Sequence, residues 1–413
     1  MSEHFDALET RDPELREQAL MAALAAQVDH ARRVAPAYGR LLADVDGREI
    51  RSRADLARLP LTRKSQLTER QQAEPPFGGL ANTAEGAIGR IFASPGPIFD
   101  PEGRGADWWR FARALFAAGF RRGELVHNTF SYHFTPAGFM VDSGARALGC
   151  RVFPGGVGQT ELQVQAMAAL RADGYGGTPS FLKILCEKAD ELGADIASLK
   201  KALVSGEALP ASLRSALAGR GVATRQCYAS ADLGLIAYES AAMEGLIVDE
   251  GVILEIVRPG TGDPVADGEV GEVVVTTLNP DYPLIRFATG DLSAVLPGAS
   301  PCGRTNRRIR GWLGRADQTA KVRGMFVHPG QVAEIVRRHP EVKRARLVIG
   351  HDAARNDRMV LRCEAAAAGG EALRTALAET MRDVTKLRGE AVLVSPGSLP
   401  NDGKVIEDTR VYD

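Results

Sequence analysis

The chain has no long apolar run. None of its 413 residues fall in a stretch of about 18 consecutive apolar positions, so no membrane span is expected. It has no excess of either charge: 51 Lys and Arg stand against 52 Asp and Glu, a net charge of −1, so it lacks the basic footprint of a nucleic-acid binder. Cysteine is scarce. Cys150, Cys186, Cys227, Cys302 and Cys363 lie far apart and form no CxxC pair, which argues against a zinc ribbon or a disulfide framework and suits reduced thiols. The opening MSEHFDALETRDPE is acidic and has no apolar core, so a secretory signal is not expected and a cytoplasmic location is. There is no internal repeat. What remains is ordinary for a soluble globular protein, 45% apolar and 25% charged, in a chain long enough for two domains or more.

The periodicity changes character along the chain. Residues 13–43 are rich in Ala, Leu, Arg and Glu with helical spacing broken near Pro36, and 1–75 read as a helical lead-in. The segment LARLPLTRKSQL reads as packing, with Pro60 ending one helical piece. Residues 106–119 (ADWWRFARALFAAG) are expected to be helical, and strands and helices then alternate from 124 to 230. Such alternation predicts an α/β fold, a doubly wound, mostly parallel sheet, with ligands at the carboxyl ends of its strands. Residues 246–296 carry β-branched alternation broken by Pro-Gly and Asp-Gly turns, which predicts a small antiparallel, barrel-like sheet. Beyond Asp317 helix and strand patterns mix again, as in a compact α+β lid. The expected division is 1–316 and 317–413.

One stretch, from Arg286 to Gly324, gathers chemistry. It reads RFATGDLSAV and then, past a turn-rich segment, GWLGRADQTAKVRG, placing Asp291, Arg315, Asp317 and Lys321 among glycines at 290, 303, 311, 314 and 324. A glycine beside a short carboxylate lets backbone approach a ligand while the carboxylate accepts from hydroxyls, and a ribose offers two. The other reading is two tight turns with solvated charges.

This stretch resembles the AMP-forming, adenylate-forming ligase superfamily, which carries TGDL and then GRxDxxxKxxG. Here these are Thr289-Gly290-Asp291-Leu292 and Gly314-Arg315-Ala316-Asp317, with Lys321 and Gly324. Within it the whole chain looks like the phenylacetate–coenzyme A ligase family. GTPS at 177–180 matches a family segment. Ser205-Gly206-Glu207 resembles its GGE, a turn near the adenine, and Tyr228-Ala229-Ser230-Ala231-Asp232 resembles its YGxTE.

The resemblance implies roles. Tyr228 would stack near the adenine, and Asp291 and Arg315 would hold the ribose. Asp232 would hold Mg²⁺ near the α-phosphate; its alternative is the N-cap of a helix over DLGLIAYE. Tyr132, His133 and Phe134 occupy the turn that lines the acyl pocket, with Ala229 and Gly234; the alternative for His133 is a satisfied strand-end histidine. Asp317 matches the hinge, and Lys404 in SLPNDGK matches the adenylation lysine, or is a solvated tail lysine. ATP, AMP, Mg²⁺ and coenzyme A are the implied cofactors and substrates, an aromatic acid such as phenylacetate the implied partner, and a homodimer the family's assembly.

One departure is plain. Where the family has a phosphate loop resembling SSGTTG, this chain has Ala93-Ser94-Pro95-Gly96-Pro97-Ile98, in which Ser94 is the single hydroxyl and two prolines lack an N–H. Ser94 and Gly96 are its candidate phosphate contacts, with Arg104 close by in sequence. This leaves two readings open: an active AMP-forming aryl–CoA ligase, or a homologue that binds AMP, an acyl-adenylate or an acyl-CoA without efficient use of ATP.

Overall fold

The computed structural model describes residues 3–82, 84, 86–259, 261–313, 315, 316, 320–322, 325–327, 329–351, 357–365, 370–400, 402 and 404–410, with backbone alone at 321, 325, 326, 329, 330 and 333. Two compact units emerge. The larger holds 1–268, 273–289 and 293–312, and the smaller holds 269–272, 290–292 and 313–413.

The larger unit is built on nine strands in the order Val295–Leu296, Arg308–Ile309, Leu246–Val248, Gly234–Glu239, Ala223–Ser230, Lys201–Val204, Gly174–Gly177, Leu125–Asn128 and Arg151–Pro154. From Ala223–Ser230 to Arg151–Pro154 every pairing is parallel. From Ala223–Ser230 the other way every pairing is antiparallel. The expected mostly parallel sheet is therefore half antiparallel. The segment weighed as a helix, DLGLIAYE, is the strand Gly234–Glu239, all six residues buried, because the sheet is covered on both faces there.

Helices cross between the parallel strands at Ala137–Ala147, Thr160–Leu170, Pro179–Leu192 and Ala211–Gly219. Pro179–Leu192 shows how sequence sets the bounds. Thr178 accepts from the Phe181 N–H as N-cap, Pro179 takes the first helical position, and Gly193 closes the helix at φ 61°. Leu182, Leu185, Cys186 and Ala189 then fall on one buried face. Close packing of strand on strand explains Gly177: a Cβ there would stand 2.0 Å from Thr129 Oγ1 and 2.2 Å from the Tyr175 hydroxyl.

Two expectations are corrected. The helix expected over 106–119 is shorter, Phe111–Ala117. Arg110 precedes it at φ 66°, held there by hydrogen bonds from its guanidinium to Asp249 (2.7 Å) and to the carbonyls of Leu233 (2.7 Å) and Leu235 (2.9 Å). Residues 246–296 do not close on themselves either. Leu246–Val248 and Val295–Leu296 join the large sheet, while Thr62–Arg63, Phe287–Ser293, Gly271–Thr277 and Val252–Val257 lie in that order in a separate four-stranded sheet. The pairing of Thr62 with Phe287 spans most of the unit, and local alternation carries no trace of it.

The smaller unit has a four-stranded sheet in the order Glu390–Val394, Asp357–Ala365, Val342–His351 and Ile406–Asp408, with helices Pro329–Arg338 and Gly370–Thr385. Gly370–Thr385 buries Leu373, Leu377, Met381 and Thr385, spaced four apart as one helix face requires. Among the described residues no helix is long and apolar enough to cross a membrane.

Candidate functional site

The change from parallel to antiparallel pairing falls at Ala223–Ser230, and the carboxyl ends of its neighbours converge there. Ser205 and Gly206 follow Lys201–Val204 directly. Ser205 Oγ donates to the Cys227 carbonyl at 2.9 Å, tying one strand end to the next. Gly206 turns the chain at φ 86°. Glu207 accepts from the Ser180 N–H at 2.7 Å, so its carboxylate sits on the N-terminal turn of Pro179–Leu192, where helix polarity favours an anion. The GTPS and SGE segments are thereby one structural unit.

A cavity of about 160 Å³ opens beside these strand ends. Ser205, Gly206, Ala229, Ser230 and Ala231 form one side, Ser94 borders it, and Phe111, Phe130, Pro136 and Met140 are among its apolar lining. Of the five residues expected in the acyl pocket, Ala229 lines this cavity. Tyr132 accepts from Asn128 Nδ2 at 2.7 Å and packs edge-on against Phe139, and burial pushes its phenol well above the ordinary range. His133 is exposed, its N–H bonded to Ser131 Oγ at 3.0 Å. Phe134 is 81% exposed at φ 60°. Gly234, at φ 69°, faces the backbone of Trp109, where a Cβ would come within 2.9 Å of the carbonyl oxygen. The cavity's apolar lining comes from Phe130, Pro136 and Met140 on either side of the loop and from Phe111.

The proline-containing loop is the turn of a β-hairpin. Ile88–Ser94 pairs antiparallel with Ile98–Gly103, bringing Ser94 opposite Ile98 across Pro95-Gly96-Pro97, whose Gly96–Pro97 bond is cis. Ser94 Oγ donates to Asp100 Oδ2 at 2.7 Å. Arg104, close by in sequence, donates to the Gly86 carbonyl at 2.8 Å.

Behind the Ser94 edge lies a buried polar cluster that the sequence did not suggest. Asp232 Oδ2 forms an ion pair with Lys64 Nζ; the carboxylate is sealed, at 0% side-chain exposure, and the lysine is 26% exposed. Asp100 neighbours Asp232. Burial, and then the Asp232 charge, raise its carboxyl to about 8. Asp100 Oδ1, Asp232 Oδ1 and the Tyr282 hydroxyl are buried with no hydrogen-bond partner among the described residues. Lys64 belongs to LARLPLTRKSQL, read from sequence as packing. Its partner is 168 residues away, and no local pattern could pair them.

These residues do not fit the Mg²⁺ that the resemblance implies at Asp232. One carboxylate oxygen already takes an ammonium and the other is sealed from solvent, so neither is open to a hydrated cation.

Tyr228 is half-buried; its hydroxyl reaches Thr289 Oγ1 at 3.3 Å, and Thr289 in turn donates to the Val273 carbonyl at 3.0 Å. In the smaller unit Asp291 and Arg315 come together as an ion pair at 3.1 Å, beside Gly290 at φ 78°. The Ala316 N–H donates to the Gly290 carbonyl at 2.6 Å, closing the two motif halves on one another. Lys404 is exposed, its N–H bonded to Asp402 Oδ1 at 3.1 Å. The expected hinge Asp317 lies outside the described residues, as do Gly314 and Gly324.

No family model matches the chain. Among curated proteins it is similar to the phenylacetate–coenzyme A ligases of Thermus thermophilus (34% identical over 74% of this chain and 72% of that protein) and of Aromatoleum evansii (32% identical over 76% and 72%). Among solved structures it is similar to 2-hydroxyisobutyryl-CoA ligase with 2-HIB-AMP and CoA in the thioesterification state, at 26% identity and a TM-score of 0.73, covering 99% of this chain and 93% of that one. The open conformation of that ligase gives 25% and 0.73 over 97% and 92%. Identity of this degree over most of both chains shows that the protein belongs to the phenylacetate–coenzyme A ligase family of adenylate-forming enzymes.

Proposed function

We propose that the protein is a carboxylate–CoA ligase that activates a small, compact acid, aromatic and phenylacetate-like, as its acyl-adenylate. The observation that carries this reading is the cavity at the strand ends. Its apolar wall of Phe111, Phe130, Pro136 and Met140 meets the polar turns of Ser205-Gly206 and Ser230. About 150 Å³ is enough to enclose a benzene ring, so about 160 Å³ suits one ring or a short branched chain.

The chemistry divides in two. The acid's carboxylate oxygen attacks the α-phosphorus of ATP and pyrophosphate leaves. The coenzyme A thiol then gives up its proton, its sulfur attacks the acyl carbon, and AMP leaves. In this reading Tyr228 and the 205–207 turn face the base, and Asp291 accepts from the ribose hydroxyls with Arg315 holding it in place. Asp317 serves as hinge, and Lys404 offsets charge that builds on the phosphate during adenylation. The similarity to ligases seen with an acyl-adenylate and CoA supports this order of steps. The test is incubation with ATP, Mg²⁺, CoA and a panel of small acids, with AMP and acyl-CoA read by chromatography and mass spectrometry. Stoichiometric AMP and thioester from a one-ring acid are expected.

A second reading rests on the hairpin. Its turn has two prolines without N–H groups, and the Ser94 hydroxyl is already given to Asp100, so few donors remain to cradle a triphosphate. In that reading the protein begins from a preformed acyl-adenylate. It would convert acyl-adenylate and CoA to thioester while giving none from acid, ATP and CoA.

A further inference from the structure

We infer that Lys64 is a built-in cation that replaces the divalent metal at Asp232, so that the nucleotide site works without a metal there. The inference rests on the proposed nucleotide site for its location, and on the structure for its chemistry.

The ion pair assigns the carboxylate's charge. Asp232 gives Oδ2 to the Lys64 ammonium and its side chain is wholly sealed. A hard divalent ion takes six or more oxygen ligands, several of them from water or substrate. Asp232 could offer its oxygens to such an ion only by leaving its burial and its ammonium partner. Lys64 is the member of the pair that solvent reaches. Of the two charges, the ammonium and not the carboxylate is therefore the one that a ligand coming from solvent can meet.

The burial of the carboxylate supports the same assignment. The second oxygen of Asp232, Oδ1, is buried as well, so neither oxygen faces an open position where a hydrated ion could sit. Ser94, on the cavity's edge, donates to Asp100 and links the cluster to the cavity. Tyr282 is buried near both carboxyls.

The test compares thermal unfolding in EDTA and in millimolar MgCl₂ for the full chain, Lys64→Met, Asp232→Asn and the double variant Lys64→Met/Asp232→Asn. The wild type is expected to unfold at the same temperature in both. Lys64→Met is expected to unfold lower in EDTA and to recover part of the loss in MgCl₂, and the double variant to show no response. A wild-type rise in MgCl₂ that Asp232→Asn abolishes would overturn the inference, as would a folded Lys64→Met that ignores Mg²⁺. If Lys64→Met does not fold, the wild type and Asp232→Asn still decide it. Calorimetric titration of the wild type with AMP adds a second arm: equal affinity in EDTA and MgCl₂ is expected, and a tenfold loss in EDTA refutes it. If AMP fails to bind at all, the proposed function falls, while the unfolding arm still tests Lys64.

Discussion

Replacing Gly290 by alanine separates the fold of the TGD turn from its proposed work. Gly290 sits at φ 78°, and a Cβ there would stand 2.9 Å from Arg315 Nη2 and 3.3 Å from its Cζ. An L-residue in this left-handed region costs roughly 1–2 kcal/mol. The guanidinium is the far end of a flexible side chain, so it will move rather than the backbone, loosening the 3.1 Å pair with Asp291. That pair is partly exposed, 44% on the arginine and 16% on the aspartate, so its loss adds no more than about 1 kcal/mol. The expected loss of stability is therefore about 1–3 kcal/mol, a few degrees in unfolding temperature. If Asp291 accepts from the ribose, its misplacement also costs a charge-assisted hydrogen bond of about 1.5–3 kcal/mol, tenfold or more in AMP affinity. Differential scanning calorimetry reads the first effect and isothermal titration with AMP the second. A Gly290→Ala variant that unfolds earlier yet binds AMP as the wild type does would refute the ribose assignment. One that unfolds at the wild-type temperature would refute the backbone argument.

Other perturbations test separate parts of the account. Lys404→Ala should abolish acyl-adenylate formation while sparing thioester formation from a supplied acyl-adenylate; equal loss of both steps, measured by single turnover, removes its assigned role. Ala229→Leu should fill the cavity and weaken acid binding tenfold or more while AMP binding holds, and calorimetry with each ligand distinguishes this from misfolding. Arg286→Met should cost about 3–5 kcal/mol in urea unfolding. It strands the buried Glu255 and breaks bonds of 2.8 Å to the Gly262 carbonyl and 2.7 Å to that of Leu59; a loss below about 1 kcal/mol contradicts the reading. Burial raises the Cys302 thiol, but hydrogen bonds from Ser240, Ser300 and Arg304 outweigh it and bring the group down to about 7. Because the thiolate is favoured in the fold, alkylation of this site should rise through pH 7 rather than through about 8.5, and Ser300→Ala should move the midpoint up.

What the sequence made legible was local. The capped helix Pro179–Leu192, the alternation leading to a parallel half-sheet, and the TGD and GRxD motifs each show in contiguous residues, because caps, periodicity and glycine turns act within a few positions. What it hid was long-range. Thr62 pairing with Phe287 and Lys64 reaching Asp232 depend on the tertiary fold, and a lysine in a packing segment looks like any solvated lysine until its partner is known. The apolar lining of the cavity was hidden for a related reason. The conspicuous aromatic run Tyr132-His133-Phe134 drew attention, yet a tight loop at positive φ turned Phe134 outward, while Phe111 arrived from another helix. Composition showed that prolines at 95 and 97 leave few backbone donors there, but not that the segment would pair into a hairpin.

The most direct measurement is calorimetric titration of the full chain with AMP. The AMP moiety runs through both half-reactions and both readings of the phosphate loop, and titrating AMP requires no knowledge of the acid. The account predicts saturable one-to-one binding that Asp291→Ala weakens tenfold or more. No saturable binding, or binding indifferent to Asp291→Ala, would contradict it.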